Sequence, residues 1–357
     1  MWMKKAAVAA SALSLALGLA ACGLESGSGS GGETVTIKIN TGVPPTQHLN
    51  QHVFLPWKEY VEEQTDGRVK VDIYDATTLG SLTTVLTDLE SGLYDMGVVA
   101  PVFFLDSPLY GLSVGNLIGA VPEGKAGNEI VARYLDAEGD EFTVPGVEII
   151  GASVSTPFQF WGTKPIESIK DIEGLPVRVS SPVEAQLVSI LGGDPVQVPS
   201  AEMYQALERG TVKAAYSPVE TSLGVKIHEV APHLFEANIA STVVSLGVRD
   251  AFLDGLSDSL RTEFEEDLLP KAEELLHDDL DQVLSGNEAA IDELEASGAL
   301  TVNSMTDEDD ATVAAAAEEQ WAAWVEEADS KGFDGSALAE QWLTLMDDAG
   351  VDRPFEK

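Results

Sequence analysis

An arginine set in an apolar strand carries the most specific chemistry in this chain. Gly174-Leu175-Pro176-Val177-Arg178-Val179 reads as a strand, and successive side chains on a strand point to opposite faces. Leu175, Val177 and Val179 therefore share one face and Arg178 takes the other. Of 357 residues only 20 are Lys or Arg, against 60 Asp or Glu, and the formal net charge is −40. A cation between two valines is thus not a product of composition. A guanidinium is a rigid fork of donors that fits a carboxylate through paired hydrogen bonds. Arg178 is either the anchor for an organic anion or half of an internal ion pair with an acidic side chain; the strand alone leaves both open.

Other constellations are weaker. His48 and His52 stand four apart, a spacing that seats a metal when both lie on one helix. No Glu follows His48 to complete a hydrolytic motif, and Pro44-Pro45 lies just upstream. His48 is therefore read as a polar ligand contact near the mouth of a cleft, and no metal is expected. His228, His233 and His277 are isolated and expected to be structural or exposed. No Ser-His-Asp set has a recognisable nucleophile turn, and Gly192-Gly193 ends a helix rather than cradling a phosphate. No cofactor is expected, and the chain is read as a non-enzyme. A lipid-anchored hydrolase is the rival class, which turnover of a bound acid would favour.

The chain opens with an address. Lys4 and Lys5 precede an apolar run over residues 6–20, shorter than the roughly 20 residues of a comfortable membrane span. Leu19-Ala20-Ala21-Cys22 matches the bacterial lipoprotein signal, in which the cysteine is exposed by cleavage and lipidated. The expectation is a signal peptide over 1–21, lipidation at Cys22 and a Gly/Ser-rich tether over 22–33. Cys22 is the single cysteine, which excludes an internal disulfide and a thiolate metal cluster. Loss of Lys4 and Lys5 with the leader takes the net charge from −40 to −42. That balance argues against nucleic acid and against docking on anionic lipid by charge. Acidic clusters such as Glu265-Glu266-Asp267 and Asp307-Glu308-Asp309-Asp310 read as solvated helix faces. Dense carboxylates with few lysines suit high ionic strength, where screening mutes self-repulsion.

The elements that must position Arg178 alternate in type. Strands are expected at 34–40, 69–74, 96–100, 147–153, 196–198 and 242–248. Helices are expected at 54–64, 82–91 and 183–191, and from Ser200 as cap to Arg209. A helical tail follows over 257–284 with a kink at Pro270, then 288–295, 307–329 and 336–348, with Trp321, Trp324 and Trp342 as packing residues. The strand-helix rhythm is that of α/β lobes with largely parallel sheets. About 320 residues exceed one usual core, so two lobes are expected. The partition is 34–154 with 242–285 as lobe I and 155–241 with 286–357 as lobe II. A cleft between lobes, at the carboxyl ends of strands, is a common ligand site.

From Ile166 to Glu229 the chain resembles the solute-binding subunits of tripartite ATP-independent periplasmic (TRAP) transporters, the DctP family. The likeness rests on Lys164-Pro165-Ile166, on Ile169-Lys170-Asp171-Ile172-Glu173-Gly174-Leu175-Pro176-Val177-Arg178-Val179, and on Leu191-Gly192-Gly193-Asp194-Pro195-Val196. Pro199-Ser200-Ala201-Glu202-Met203-Tyr204-Gln205-Ala206-Leu207-Glu208-Arg209-Gly210 and His228-Glu229-Val230 extend it, and Glu90-Ser91-Gly92-Leu93-Tyr94-Asp95-Met96 agrees in the amino-terminal part. The resemblance implies a two-lobed periplasmic-binding-protein-like α/β fold with a hinged cleft and a long helix spanning both lobes. It implies that Arg178 grips a solute carboxylate and that membrane permease subunits, driven by an ion gradient, receive the closed form. A receptor for an ABC importer is the nearer alternative.

The departures narrow the solute. Many members carry Asp-Gly-x-Glu-Asn where this chain has Lys213-Ala214-Ala215-Tyr216-Ser217, so Ser217 replaces an asparagine that helps hold the carboxylate. Some carry a second arginine before the Lys-Pro-Ile element, where this chain has Thr156-Pro157-Phe158-Gln159-Phe160-Trp161. A monocarboxylate with an apolar or aromatic body is expected. Either Phe158 and Phe160 or Gln159 and Trp161 should face the cleft. Gln159, Tyr216 and Ser217 are the expected hydrogen-bonding contacts beside Arg178, and Phe158 and Trp161 the expected wall.

Overall fold

The computed structural model of the chain describes residues 34–122 and 124–355; the leader, Cys22 and the tether lie outside them. The strands are β1 (Val35–Asn40), β2 (Val69–Tyr74), β3 (Met96–Val99), β4 (Val147–Val154), β5 (Phe158–Gly162), β6 (Pro176–Val179), β7 (Asp194–Gln197), β8 (Ala214–Pro218), β9 (His233–Glu236), β10 (Val243–Arg249) and β11 (Thr301–Ser304). They form two sheets, ordered β2-β1-β3-β10-β4 and β11-β9-β5-β8-β6-β7. The fold is a two-lobed α/β architecture, one sheet to a lobe.

The chain passes between the sheets at adjacent points. β4 runs into β5 through Ser155–Pro157, and β9 returns to β10 through residues 237–242. The crossings are bonded to each other: Ser155 N–H donates to Thr242 O at 2.8 Å and Phe158 N–H to Ala240 O at 2.9 Å. A third crossing is the helix Leu269–Ala296, about 42 Å long at 1.5 Å per residue. Leu269, Ala272 and Leu276 pack in the core of the first sheet, and Ile291 and Leu294 against that of the second.

The sheets are less parallel than the strand-helix rhythm implies. β1 is parallel to β2 and β3, but β10 is antiparallel to both β3 and β4. β10 enters from the other lobe, so it starts at the end where β4 finishes and must run the opposite way.

The tail also departs from expectation. The chain is helical without a break from Asp258, and the turn just before Pro270, Phe264–Leu268, is π-helical, so the hydrogen-bond pattern changes where a kink was expected. The helix then runs unbroken through Gly286. A glycine inside a helix costs about 1 kcal/mol, and here flanking contacts hold the turn, among them Asn287 Nδ2 donating to Glu220 Oε2 at 3.0 Å. Capping is as the residues dictate at Thr306 and Asp309, which bond each other's backbone N–H at the start of Asp307–Lys331.

The final helix, Gly335–Asp348, does not follow the partition that places 286–357 with the second lobe. Trp342 Nε1 donates to Ala120 O at 2.8 Å, and its ring meets Tyr134 edge-on at 4.8 Å. This helix thus packs on elements before Val147, in the first lobe.

Candidate functional site

In the second sheet β7, β6 and β8 run parallel, with Arg178 opposite Val196 and Ala215. Their carboxyl ends lie side by side, where open α/β sheets gather ligands. Val177 and Val179 enter the main core, and Arg178 projects from the other face, 1 % exposed. Its Nε donates to Val198 O at 2.8 Å and its Nη2 to Ser200 Oγ at 2.9 Å, with Nη1 3.5 Å from Tyr216 O. All three acceptors are neutral. Among the described residues no carboxylate lies within 4.0 Å to form an ion pair with it. Burial pushes the guanidinium pKa down, opposed by the charge of Glu184. A buried ion held only by neutral groups is costly and leaves donors free for an anion.

Ser200 was the expected cap of the following helix. Its hydroxyl accepts from Arg178 instead, and the chain makes a tight turn over Ser200–Glu202 before the helix Met203–Glu208, which has no side-chain cap.

Both faces of β5 and β8 are buried, and their alternation separates the candidates. Phe158, Phe160 and Tyr216 share one face, with ring centroids 5.1 Å and 4.7 Å from Tyr216. Gln159, Trp161 and Ser217 share the face of Arg178. The Tyr216 hydroxyl and the Ser217 Oγ are buried without a hydrogen-bond partner among the described residues. Burial, and secondarily the charge of Glu184, raises the Tyr216 pKa well above its ordinary value, so the phenol stays protonated.

Three expected contacts are placed elsewhere. Gln159 is consumed by the crossing: its Oε1 accepts from Ala237 N–H at 2.7 Å and Asn238 N–H at 3.2 Å, and its Nε2 bonds Asn238 Oδ1. Trp161 is a core residue rather than a cleft wall. It is fully buried among Met203, Leu207, Ala215 and Leu234, with Nε1 donating to Ser217 O at 3.3 Å. His48 is turned toward the long helix, where its Nδ1 bonds Asp279, and His52 Nδ1 meets the same carboxylate at 2.8 Å; His48 does not line the interlobe cavity. Among the described residues no cluster of His, Cys, Asp and Glu suits a metal ion.

Burial alone would lower the pKa of His48, but the bond to Asp279 and its charge outweigh this and raise it above 6.5. A raised folded pKa contributes stability that is full below the unfolded pKa and disappears as pH rises through the folded one. The melting gap between the wild type and His48→Gln is therefore expected to be larger at about pH 5.5 than at about pH 8.5. A gap that widens with pH would contradict the pairing.

A cavity of about 10 Å³ lies between the lobes, lined by Val102 and Asn116 from the first and by Phe158, Ser181, Glu184 and Tyr216 from the second. It has room for about one water, so a solute requires the lobes to separate or Tyr216 to give way. A larger groove of about 590 Å³ lies between β4, Lys125–Glu138 and the long helix. Its charged lining is Asp136, Glu148 and Glu273, the wrong sign for an organic anion.

Sequence reasoning missed Glu184 and Asn116. Glu184 is buried. Its Oε1 accepts from Ser180 Oγ at 2.6 Å and Ser181 Oγ at 3.0 Å, and its Oε2 from Ser180 N–H at 2.7 Å. The signal was visible as Ser181-Pro182-Val183-Glu184, a helix-start pattern.

The model of bacterial extracellular solute-binding proteins, family 7 (DctP), matches residues 39–328. The 2,3-diketo-L-gulonate-binding periplasmic protein YiaO of Escherichia coli is 24% identical over 267 residues, 70% of this chain and 78% of that protein. The C4-dicarboxylate-binding periplasmic protein DctP of Rhodobacter capsulatus is 26% identical over 249 residues, 65% of this chain and 70% of that one. The crystal structure of a TRAP solute-binding protein from Rhodoferax ferrireducens, in complex with copurified benzoate, superposes with a TM-score of 0.78 at 23% identity, covering 89% of this chain and 99% of the other. The matched span takes in both sheets and Arg178 on β6: the chain belongs to the DctP family of bacterial extracellular solute-binding proteins.

Proposed function

We propose that this chain is the extracytoplasmic receptor of a TRAP transporter and that Arg178 grips the carboxylate of an organic acid, a monocarboxylate with an apolar or aromatic body. The observation that carries the reading is a buried guanidinium with no acidic partner among the described residues. The further contacts are Ser217 Oγ, on the face of Arg178, and Tyr216 OH, on the other face where it lines the cavity with the Phe158 ring as the wall; both oxygens are buried and without a partner among the described residues. The aromatic Phe158 stands where some relatives carry a second arginine, which favours one carboxylate over the two of a dicarboxylate. The benzoate in the Rhodoferax ferrireducens protein is in keeping with that preference.

The same reading places the receptor on a lipid anchor at Cys22, behind the 22–33 tether, with membrane permease subunits as partners. It takes 34–154 with 242–285 as one lobe and 155–241 with 286–334 as the other, the final helix joining the first. Among the described residues no helix is long and apolar enough to cross a membrane. The family match supports the ion-driven system over an ABC importer, and a receptor over a hydrolase.

A melting screen tests the reading. A matched acid at 100 times its dissociation constant adds about 2.7 kcal/mol of stability. Aromatic or apolar monocarboxylates are expected to raise the melting temperature, and neutral sugars to leave it unchanged. The opposite pattern would overturn the carboxylate reading.

A further inference from the structure

Glu184 lies at the start of the helix Pro182–Ile190, just past the carboxyl end of β6. It and Arg178 act on each other electrostatically but do not form an ion pair. Each is instead held by neutral groups: Arg178 by two carbonyls and a hydroxyl, Glu184 by two serine hydroxyls and one N–H. Both groups are buried, and each is held by dedicated neutral partners rather than by the other.

The interlobe cavity shows what that group needs. Glu184 lines it, together with the unpartnered Tyr216 hydroxyl and the unpartnered Asn116 Oδ1, all three side chains more than nine-tenths buried. Asn116 is oriented by its own amide, whose Nδ2 donates to Ser241 O at 3.2 Å, leaving the oxygen without a donor. A carboxylate has about four acceptor sites, and three of those on Glu184 are filled by serine groups. The surplus on this wall is chiefly acceptor capacity, one site on Glu184 and the Asn116 oxygen, beside a Tyr216 hydroxyl that can accept as well as donate. An apolar body alone would leave it unmet in a dry site, and a site built to hydrogen-bond a donor rejects an analogue that lacks one.

We propose that Glu184, with Asn116 Oδ1 and Tyr216 OH, reads a second, proton-donating group on the solute, so that the acid carries a hydroxyl or ammonium group close to its carboxylate. This deepens the carboxylate reading and rests on it. Arg178 takes the acid end, Phe158 faces the apolar body, and Glu184 selects among acids that Arg178 would hold equally well.

The test is isothermal titration of the full chain with acids in matched trios, aromatic and aliphatic: unsubstituted, 2-hydroxy and 2-amino. In the wild type the 2-hydroxy or the 2-amino member is expected to bind about 10-fold or more tightly than the unsubstituted one. Which of the two wins distinguishes hydroxyl from ammonium. In Glu184→Gln that preference should fall to about 3-fold or less, because the amide has one acceptor oxygen in place of two and no charge to strengthen its bond to a donor. An unsubstituted acid that binds the wild type as tightly as its partners overturns the role of Glu184 and leaves Arg178 in place. A preference unchanged in Glu184→Gln does the same. No binding by any acid overturns both readings. If Glu184→Gln fails to fold by circular dichroism, the wild-type ratio alone decides.

Discussion

Arg178→Ala will weaken binding of the matched acid by about 30-fold or more, because truncating one partner of a buried, hydrogen-bonded charge pair costs about 2–5 kcal/mol. Most of that is the penalty on the solute carboxylate, which would enter a dry site without a counter-charge. The fold should survive. In the unliganded chain the guanidinium is a buried cation without an anionic partner, so its removal also relieves a desolvation cost. Arg178→Lys should fall between wild type and alanine, since an ammonium keeps the charge but not the fork. Titration calorimetry on variants with wild-type circular dichroism checks both. Unchanged affinity in Arg178→Ala would take this residue out of the site.

Trp161→Ala is expected to act on stability instead. The side chain is fully buried in the core beneath β5 and β8 and donates to Ser217 O. Truncation of a buried tryptophan costs about 3–5 kcal/mol, from lost transfer energy plus the cavity left behind. Denaturant unfolding should show that loss in the absence of any acid. A small indirect loss of affinity is compatible, since the Ser217 carbonyl loses a partner. Full stability with lost binding would return Trp161 to the cleft wall, where the sequence had suggested it.

That contrast between Arg178 and Trp161 shows what the sequence carried. Arg178 was legible because a cation on an apolar strand conflicts with its surroundings, and such conflicts concentrate at functional sites. The two-lobed plan was legible from the strand-helix rhythm and the motif around β6. Alternation put Gln159 and Trp161 on one face and Phe158 and Phe160 on the other, but both faces of β5 are buried. A period of two then says which residues share a face and not which face meets solvent. Gln159 was lost for a different reason: its partners, Ala237 and Asn238, are nearly 80 residues away in the second crossing.

Long-range pairing hid the rest. His48 looked available because Asp279 lies 231 residues further on. The antiparallel run of β10 follows from where the chain returns between lobes, which local propensity does not encode. Glu184 and Ser200 were masked by a different legitimate role, since both stand where a helix start wants an acid or a hydroxyl. Ser200 supplies its hydroxyl to Arg178 instead.

Arg178, a guanidinium kept without an acidic partner among the described residues of the second lobe, is the proposed seat of the solute's negative charge. The most direct measurement is a crystal structure of the chain grown with whichever acid raises its melting temperature most. The predicted result is one carboxylate on the solute within hydrogen-bond distance of both Nη atoms of Arg178, with Phe158 against its body. An acid lodged elsewhere, with Arg178 still bonded only to Val198, Ser200 and Tyr216, would contradict the account.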